Sequence, residues 1–117
     1  MQITPTPKEQ TFIDAYIEAL YFTECGDLDQ PDYGAELDAD FIRFTVIDCL
    51  AFYNRVCCYL SDDEIDQAGH DFWLTRNGHG AGFWDRDRPS GDYLTKRSEI
   101  YGSFDLYVGD DDFIHGL

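Results

Sequence analysis

The chain has 117 residues, the length of one domain, and its apolar share of 44% and aromatic share of 16% suffice for a packed core and argue against disorder. Twenty-four Asp and Glu against 8 Lys and Arg leave a net charge of −16, which excludes a binder of naked nucleic acid, because phosphate must be met by cations. No apolar run approaches the roughly 20 residues of a membrane span, and Met1 to Lys8 lack the basic-then-apolar order of a secretion signal.

The elements follow in chain order. Thr6-Pro7-Lys8-Glu9 predicts a helix start: Thr6 caps, Pro7 suits the first turn, and Glu9 completes a capping box. Phe12, Ile13, Tyr16, Ile17, Leu20 and Tyr21 form its apolar stripe, with Asp14 and Glu18 opposite and Gly26 closing it near Cys25. Residues 27–37 read as an acidic loop punctuated by Pro31 and Gly34. A second helix is expected from about Ala39 to Leu60, capped by Asp38. Ile42, Val46, Cys49, Tyr53, Val56, Cys57 and Leu60 share one face and Phe41, Phe44 and Ala51 a second, the pattern of a central helix. Ser61 to Glu64 repeats the capping-box pattern and starts a short third helix that should reach about His70.

From Phe72 the texture becomes β-rich. Phe72-Trp73-Leu74-Thr75-Arg76, then Asn77-Gly78, then Phe83-Trp84-Asp85-Arg86 predict a hairpin, because Asn-Gly between aromatic arms is a strong turn signal. A short helix over 93–101, a strand over 104–108 and a closing strand over 113–115 complete the order. The fold class expected is α+β in a single domain, 1–117, with about three N-terminal helices packed against a small antiparallel sheet and one further short helix. Its two parts are an acidic helical half, 1–67, and a hairpin half, 68–117.

Charge is uneven between them. Residues 1–67 hold 15 acids and 3 bases, residues 68–117 hold 9 acids and 5 bases. An acidic field selects a basic partner, and proteins that handle nucleic acid present such surfaces. Asp14 with Glu18, Glu36 with Asp40, and Asp62 with Asp66 have the spacing of like-charged neighbours on a helix, an arrangement that costs about 0.2–0.5 kcal/mol each. Carboxylates about 6 Å apart on helix faces imitate rows of phosphates. The candidate partner-binding surface is therefore Asp14, Glu18, Asp27, Asp29, Asp32, Glu36, Asp38, Asp40, Asp62, Asp63 and Asp66.

Other chemistry is less well supported. Gly78, Gly80 and Gly82 lack the following helix and the Lys of a phosphate-binding loop. Cys25, Cys49, Cys57 and Cys58 form no Cys-x-x-Cys pair and are expected as reduced thiols in a cytoplasmic protein. An alternative site, that of a small enzyme or a ligand- or metal-binding domain, would centre on the hairpin with His70, Arg76, His79, Asp85 and Arg86, Asp71 lying beside them. These match no metal-ligand spacing; no cofactor and no catalytic residue are assigned. A third reading, an oligomeric assembly protein, would show an exposed Trp73 or Trp84 patch.

The segment His70-Asp71-Phe72-Trp73-Leu74-Thr75-Arg76-Asn77-Gly78-His79-Gly80-Ala81-Gly82-Phe83-Trp84-Asp85-Arg86, followed by Asp105-Leu106-Tyr107-Val108-Gly109-Asp110-Asp111, resembles a group of small proteins encoded by tailed phages, prophages and plasmids. The resemblance covers about the last 50 residues of the chain, and Asp112 stands where those proteins usually carry Gly. It implies a mobile-element setting in a bacterial host and no mechanism. Small acidic phage proteins often resemble inhibitors of host defence, of anti-restriction or anti-CRISPR type, or inhibitors of uracil-DNA glycosylase. By analogy, the expected function is stoichiometric inhibition of a basic, nucleic-acid-handling host protein by charge mimicry, with no direct nucleic-acid or membrane contact.

Overall fold

A computed structural model of the chain describes residues 4–24, 36–78, 82–83 and 90–116. Among the described residues, four α-helices, α1 (Pro7–Glu24), α2 (Ala39–Val56), α3 (Ile65–Arg76) and α4 (Gly91–Glu99), precede two strands, β1 (Leu106–Val108) and β2 (Ile114–Gly116). The helices pack with a two-stranded antiparallel sheet, so the fold is α+β. Among the described residues, no helix is long and apolar enough to cross a membrane.

Local chemistry places the helix starts. Thr6 N donates to Glu9 Oε1 at 2.8 Å and Glu9 N to Thr6 Oγ1 at 3.2 Å, the reciprocal pair that the sequence predicts. Asp38 Oδ2 accepts from the amides of Asp40 and Phe41 at 3.0 and 3.3 Å and starts α2. Ser61 N donates to Glu64 Oε1 at 3.0 Å and steers the chain into α3. Gly26 lies outside the described residues.

Three expectations need correction. The first concerns α3, which does not stop at His70. Phe72 to Arg76 are helical, so the hairpin over 72–86 does not form. Ile65, Ala68, Gly69, Phe72, Trp73 and Arg76 are all buried, a spacing of three and four that turns one face of α3 inward. That burial overrides the β texture of the aromatic run. Asn77-Gly78 acts as a helix stop: Gly78 has φ 70°, and its amide donates to Thr75 O at 3.2 Å. The second arm of the expected hairpin lies almost wholly outside the described residues. Its Phe83 is fully buried, and the Phe83 amide donates to Thr75 Oγ1 at 3.1 Å.

The second correction concerns α2, which buries one face. Phe41, Thr45, Cys49, Phe52, Tyr53 and Val56 point inward, whereas Ile42, Phe44, Ala51 and Cys57 are exposed. The α-helix ends at Val56 and continues as a tighter turn over Cys57–Tyr59. The third concerns residues 36 and 37, assigned to a loop. Leu37 makes a parallel bridge with Ile114: Asp38 N donates to Ile114 O, and Ile114 N to Glu36 O, both at 2.8 Å. The start of α2 is thereby tied to the outer edge of β2.

The core lies where α1, α2 and α3 meet. Phe12, Phe52 and Phe72 interleave, with Phe52 and Phe72 ring centroids 4.2 Å apart and Phe12 5.9 Å from each. Helices α1 and α3 run in the same direction, shown by Lys8–Asp62 at one end and Thr23–Trp73 at the other. They pack closely at Gly69, where a Cβ would overlap the Phe12 carbonyl oxygen and come within 2.9 Å of Ala15 Cβ.

Candidate functional site

The sequence-derived acids reach the surface in two groups. Asp14 and Glu18 on α1, Asp62 and Asp63 in the turn before α3, and Asp66 on α3 are exposed and form the first. Lys8 Nζ holds Asp62 at 2.8 Å, which sets the start of α3 beside that of α1. Asp14 accepts from Gln10 Nε2 at 2.8 Å, Asp63 accepts from Ser61 Oγ at 2.7 Å, and Glu18 lies 3.7 Å from His70 Nε2. Glu36, Asp38 and Asp40 form the second group, around the start of α2. The Leu37–Ile114 bridge brings them beside the β1–β2 turn, which carries Asp110, Asp111 and Asp112. Asp27, Asp29 and Asp32 lie outside the described residues. Of the three like-charge pairs, only Asp14 and Glu18 sit within a single α-helix, because α2 starts after Glu36 and α3 after Asp62.

Cations near these acids are few. Among the described residues, Lys8 and Arg43 are the only Lys or Arg side chains within ion-pair distance of them, Arg43 at 3.5 Å from Asp40.

Of the alternative residues, only His70 and Arg76 are among the described residues, and these two do not converge. His70 is half-buried on α3 beside Glu18, and Arg76 lies about 120° away around the same helix. Asp71 is buried and accepts from Gln67 Nε2 at 3.2 Å. His79, Asp85 and Arg86 lie outside the described residues. The groove beside His70, about 370 Å³, is walled by Ala19, Phe22 and Leu74 with Glu18 at its edge, which is an apolar surface rather than a converging set of titratable groups. Trp73 is fully buried, its indole N–H donating to Thr23 Oγ1 at 2.8 Å, so it offers no exposed patch; Trp84 lies outside the described residues.

Arg76, named in the alternative hairpin site, is instead a buried tie. Its guanidinium meets Asp48 Oδ2 at 2.9 Å and donates to Tyr16 Oη at 3.2 Å and to the carbonyls of Tyr101 and Gly102 at 2.8 Å each. It also lies over the Phe104 ring, 4.6 Å from the centroid. Burial pushes the Tyr16 hydroxyl and the Cys49 thiol well above their usual ranges, so neither ionises near neutral pH. Cys49 is a buried free thiol and Cys57 and Cys58 are exposed ones; Cys25 lies outside the described residues.

One grouping was not legible in the sequence. His115 Nε2 lies 3.0 and 3.1 Å from the two oxygens of Asp111, and its Nδ1 lies 3.8 Å from Asp38 Oδ2. The bond to Asp111 holds the imidazole above its usual range, and the same bond, with the Phe113 amide, holds the Asp111 carboxyl below its own. These three side chains are the ones among the described residues that could hold a metal ion. The sequence signal, Asp111 and His115 across a turn, is too short to stand out, and Asp38 joins them only through the bridge to β2.

Comparison with protein-family models, with curated proteins and with solved structures finds no match to this chain.

Proposed function

We propose that this chain is an interaction protein that docks a basic, nucleic-acid-handling host protein through its acidic surface and inhibits it, as an accessory of a phage or other mobile element working in the bacterial cytoplasm. One observation supports the reading above others: eight of the candidate acids are described, and among the described residues only Lys8 and Arg43 offset them with a permanent cation. A surface left so uncompensated favours long-range attraction to a basic groove, at a self-repulsion that the aromatic core can bear. The divergence of His70 and Arg76 on α3 weighs against the enzyme reading.

The test is capture from bacterial lysate with washes at low and high salt, using wild type and the charge reversal Asp14→Lys/Glu18→Lys/Asp62→Lys/Asp66→Lys. Wild type should retain one basic nucleic-acid-handling protein, lose it at high salt, and inhibit its activity when the two are purified. The reversed chain should keep its circular dichroism spectrum and capture nothing. Equal capture by both chains, or none by wild type, overturns the proposal.

A further inference from the structure

We propose that Asp38, Asp111 and His115 form a binding site for a divalent first-row transition ion, with zinc as the probe of that class. One donor atom from each side chain lies within 4.8 Å of the other two. Asp38 caps α2, Asp111 sits in the β1–β2 turn, and His115 lies on β2 opposite Tyr107. No local turn makes this grouping; the pairing of Leu37 with Ile114 does.

Each side chain is held by a neighbour; Asp111 faces Nε2 of His115 and Asp38 faces its Nδ1, so the ion takes one ring nitrogen and the other carboxylate turns toward it. The amides of Asp40 and Phe41 hold Asp38, and the Phe113 amide holds Asp111 at 3.1 Å. The His115 ring stacks on Tyr107, with centroids 5.3 Å apart and planes 18° from parallel. Outer partners of this kind fix metal ligands, and their loss commonly weakens a metal site about 10- to 100-fold. Gly109 keeps the place open, since a Cβ there would come within 2.9 Å of both Asp111 Oδ1 and His115 Nε2.

The donor set argues for the ion class. An imidazole with two carboxylates suits zinc, manganese or nickel, whereas calcium takes oxygen alone. Tetrahedral zinc with bonds of about 2.0–2.1 Å sets its donors about 3.3 Å apart, so the side chains need to draw together by about 1.5 Å at most. Asp111 is exposed and has the freedom to do so. The start of α2 carries about half a positive charge, which opposes a cation. Two carboxylates outweigh it fourfold, and the chain's net charge of −16 adds to them. The bound ion would clip the β1–β2 hairpin to the start of α2 and raise thermal stability.

The test is calorimetric titration with zinc chloride on the Cys25→Ser/Cys57→Ser/Cys58→Ser chain, since the exposed thiols of Cys57 and Cys58 would bind zinc themselves and Cys25 is a third thiol outside the described residues. One ion per chain should bind, with a rise in melting temperature. Asp111→Asn, which keeps an acceptor for the Phe113 amide, and His115→Gln should each weaken affinity at least tenfold while leaving the circular dichroism spectrum unchanged. Absence of saturable binding, or binding untouched by both substitutions, overturns the proposal. Neither result depends on whether a basic protein is captured.

Discussion

Arg76→Met is the sharpest single probe of how this fold is held. Methionine keeps most of the stem volume and removes every donor. The Arg76 side chain is 1% exposed and its guanidinium serves Asp48, Tyr16 and two backbone carbonyls, whereas the Asp48 side chain is 24% exposed. Removing one partner of a buried ion pair costs about 3–5 kcal/mol, mostly through the groups left behind. Partial rehydration of Asp48 brings the expectation to about 3–4 kcal/mol. For a domain of this size that corresponds to a fall of about 15 °C in melting temperature. Urea denaturation should show a lower midpoint with an unchanged slope. Arg76→Lys should recover little, because an ammonium does not span Asp48 and both carbonyls. Replacing both partners, Arg76→Met/Asp48→Leu, should cost less than the sum of the two single changes. A loss below about 1 kcal/mol for Arg76→Met would refute the account of Arg76 as a buried tie.

Two further substitutions test the packing and the first helix. Gly69→Ala should destabilise by about 1–3 kcal/mol, against the gain of about 1 kcal/mol that alanine usually brings to a helix interior, since its Cβ would overlap the Phe12 carbonyl oxygen; urea midpoints give the sign. Glu9 has its carboxyl held below the ordinary 4.5 by the Thr6 amide first and by Asn54 second. A group lowered on folding stabilises above its unfolded value and loses that contribution as pH falls through the folded one. The stability gap between wild type and Glu9→Gln should therefore be full near pH 7 and close on the acid side of 4.5; a gap that does not change with pH would refute the assignment.

Much of the local structure was legible. The starts of α1 and α2 and the final strand pair rest on bonds between residues a few positions apart: Thr6 with Glu9, Asp38 with Asp40 and Phe41, Gly109 with Phe113. Side chains that cap or turn the backbone leave their signature in sequence because their partners are close by in the chain. The extent of α3 was not legible. Phe72 to Arg76 read as a strand, although Ile65, Ala68 and Gly69 already carry the helical spacing that Phe72, Trp73 and Arg76 continue. The choice between the two was made by α1, whose Phe12 and Ala15 leave room for a glycine and nothing larger.

The candidate sites divide in the same way. The sequence by itself determined the amount of acid, its concentration in the first 67 residues and the kind of partner such a field would favour. Only the tertiary structure decided that Arg76 is internal and that Glu36, Asp38 and Asp40 stand beside Asp111 and His115. Capping and net charge depend on residue type and near neighbours, which a linear sequence states outright. Burial of a cation and the meeting of Asp38 with His115 depend on desolvation and on backbone pairing between distant segments, and those energies exist only once the chain has closed on itself.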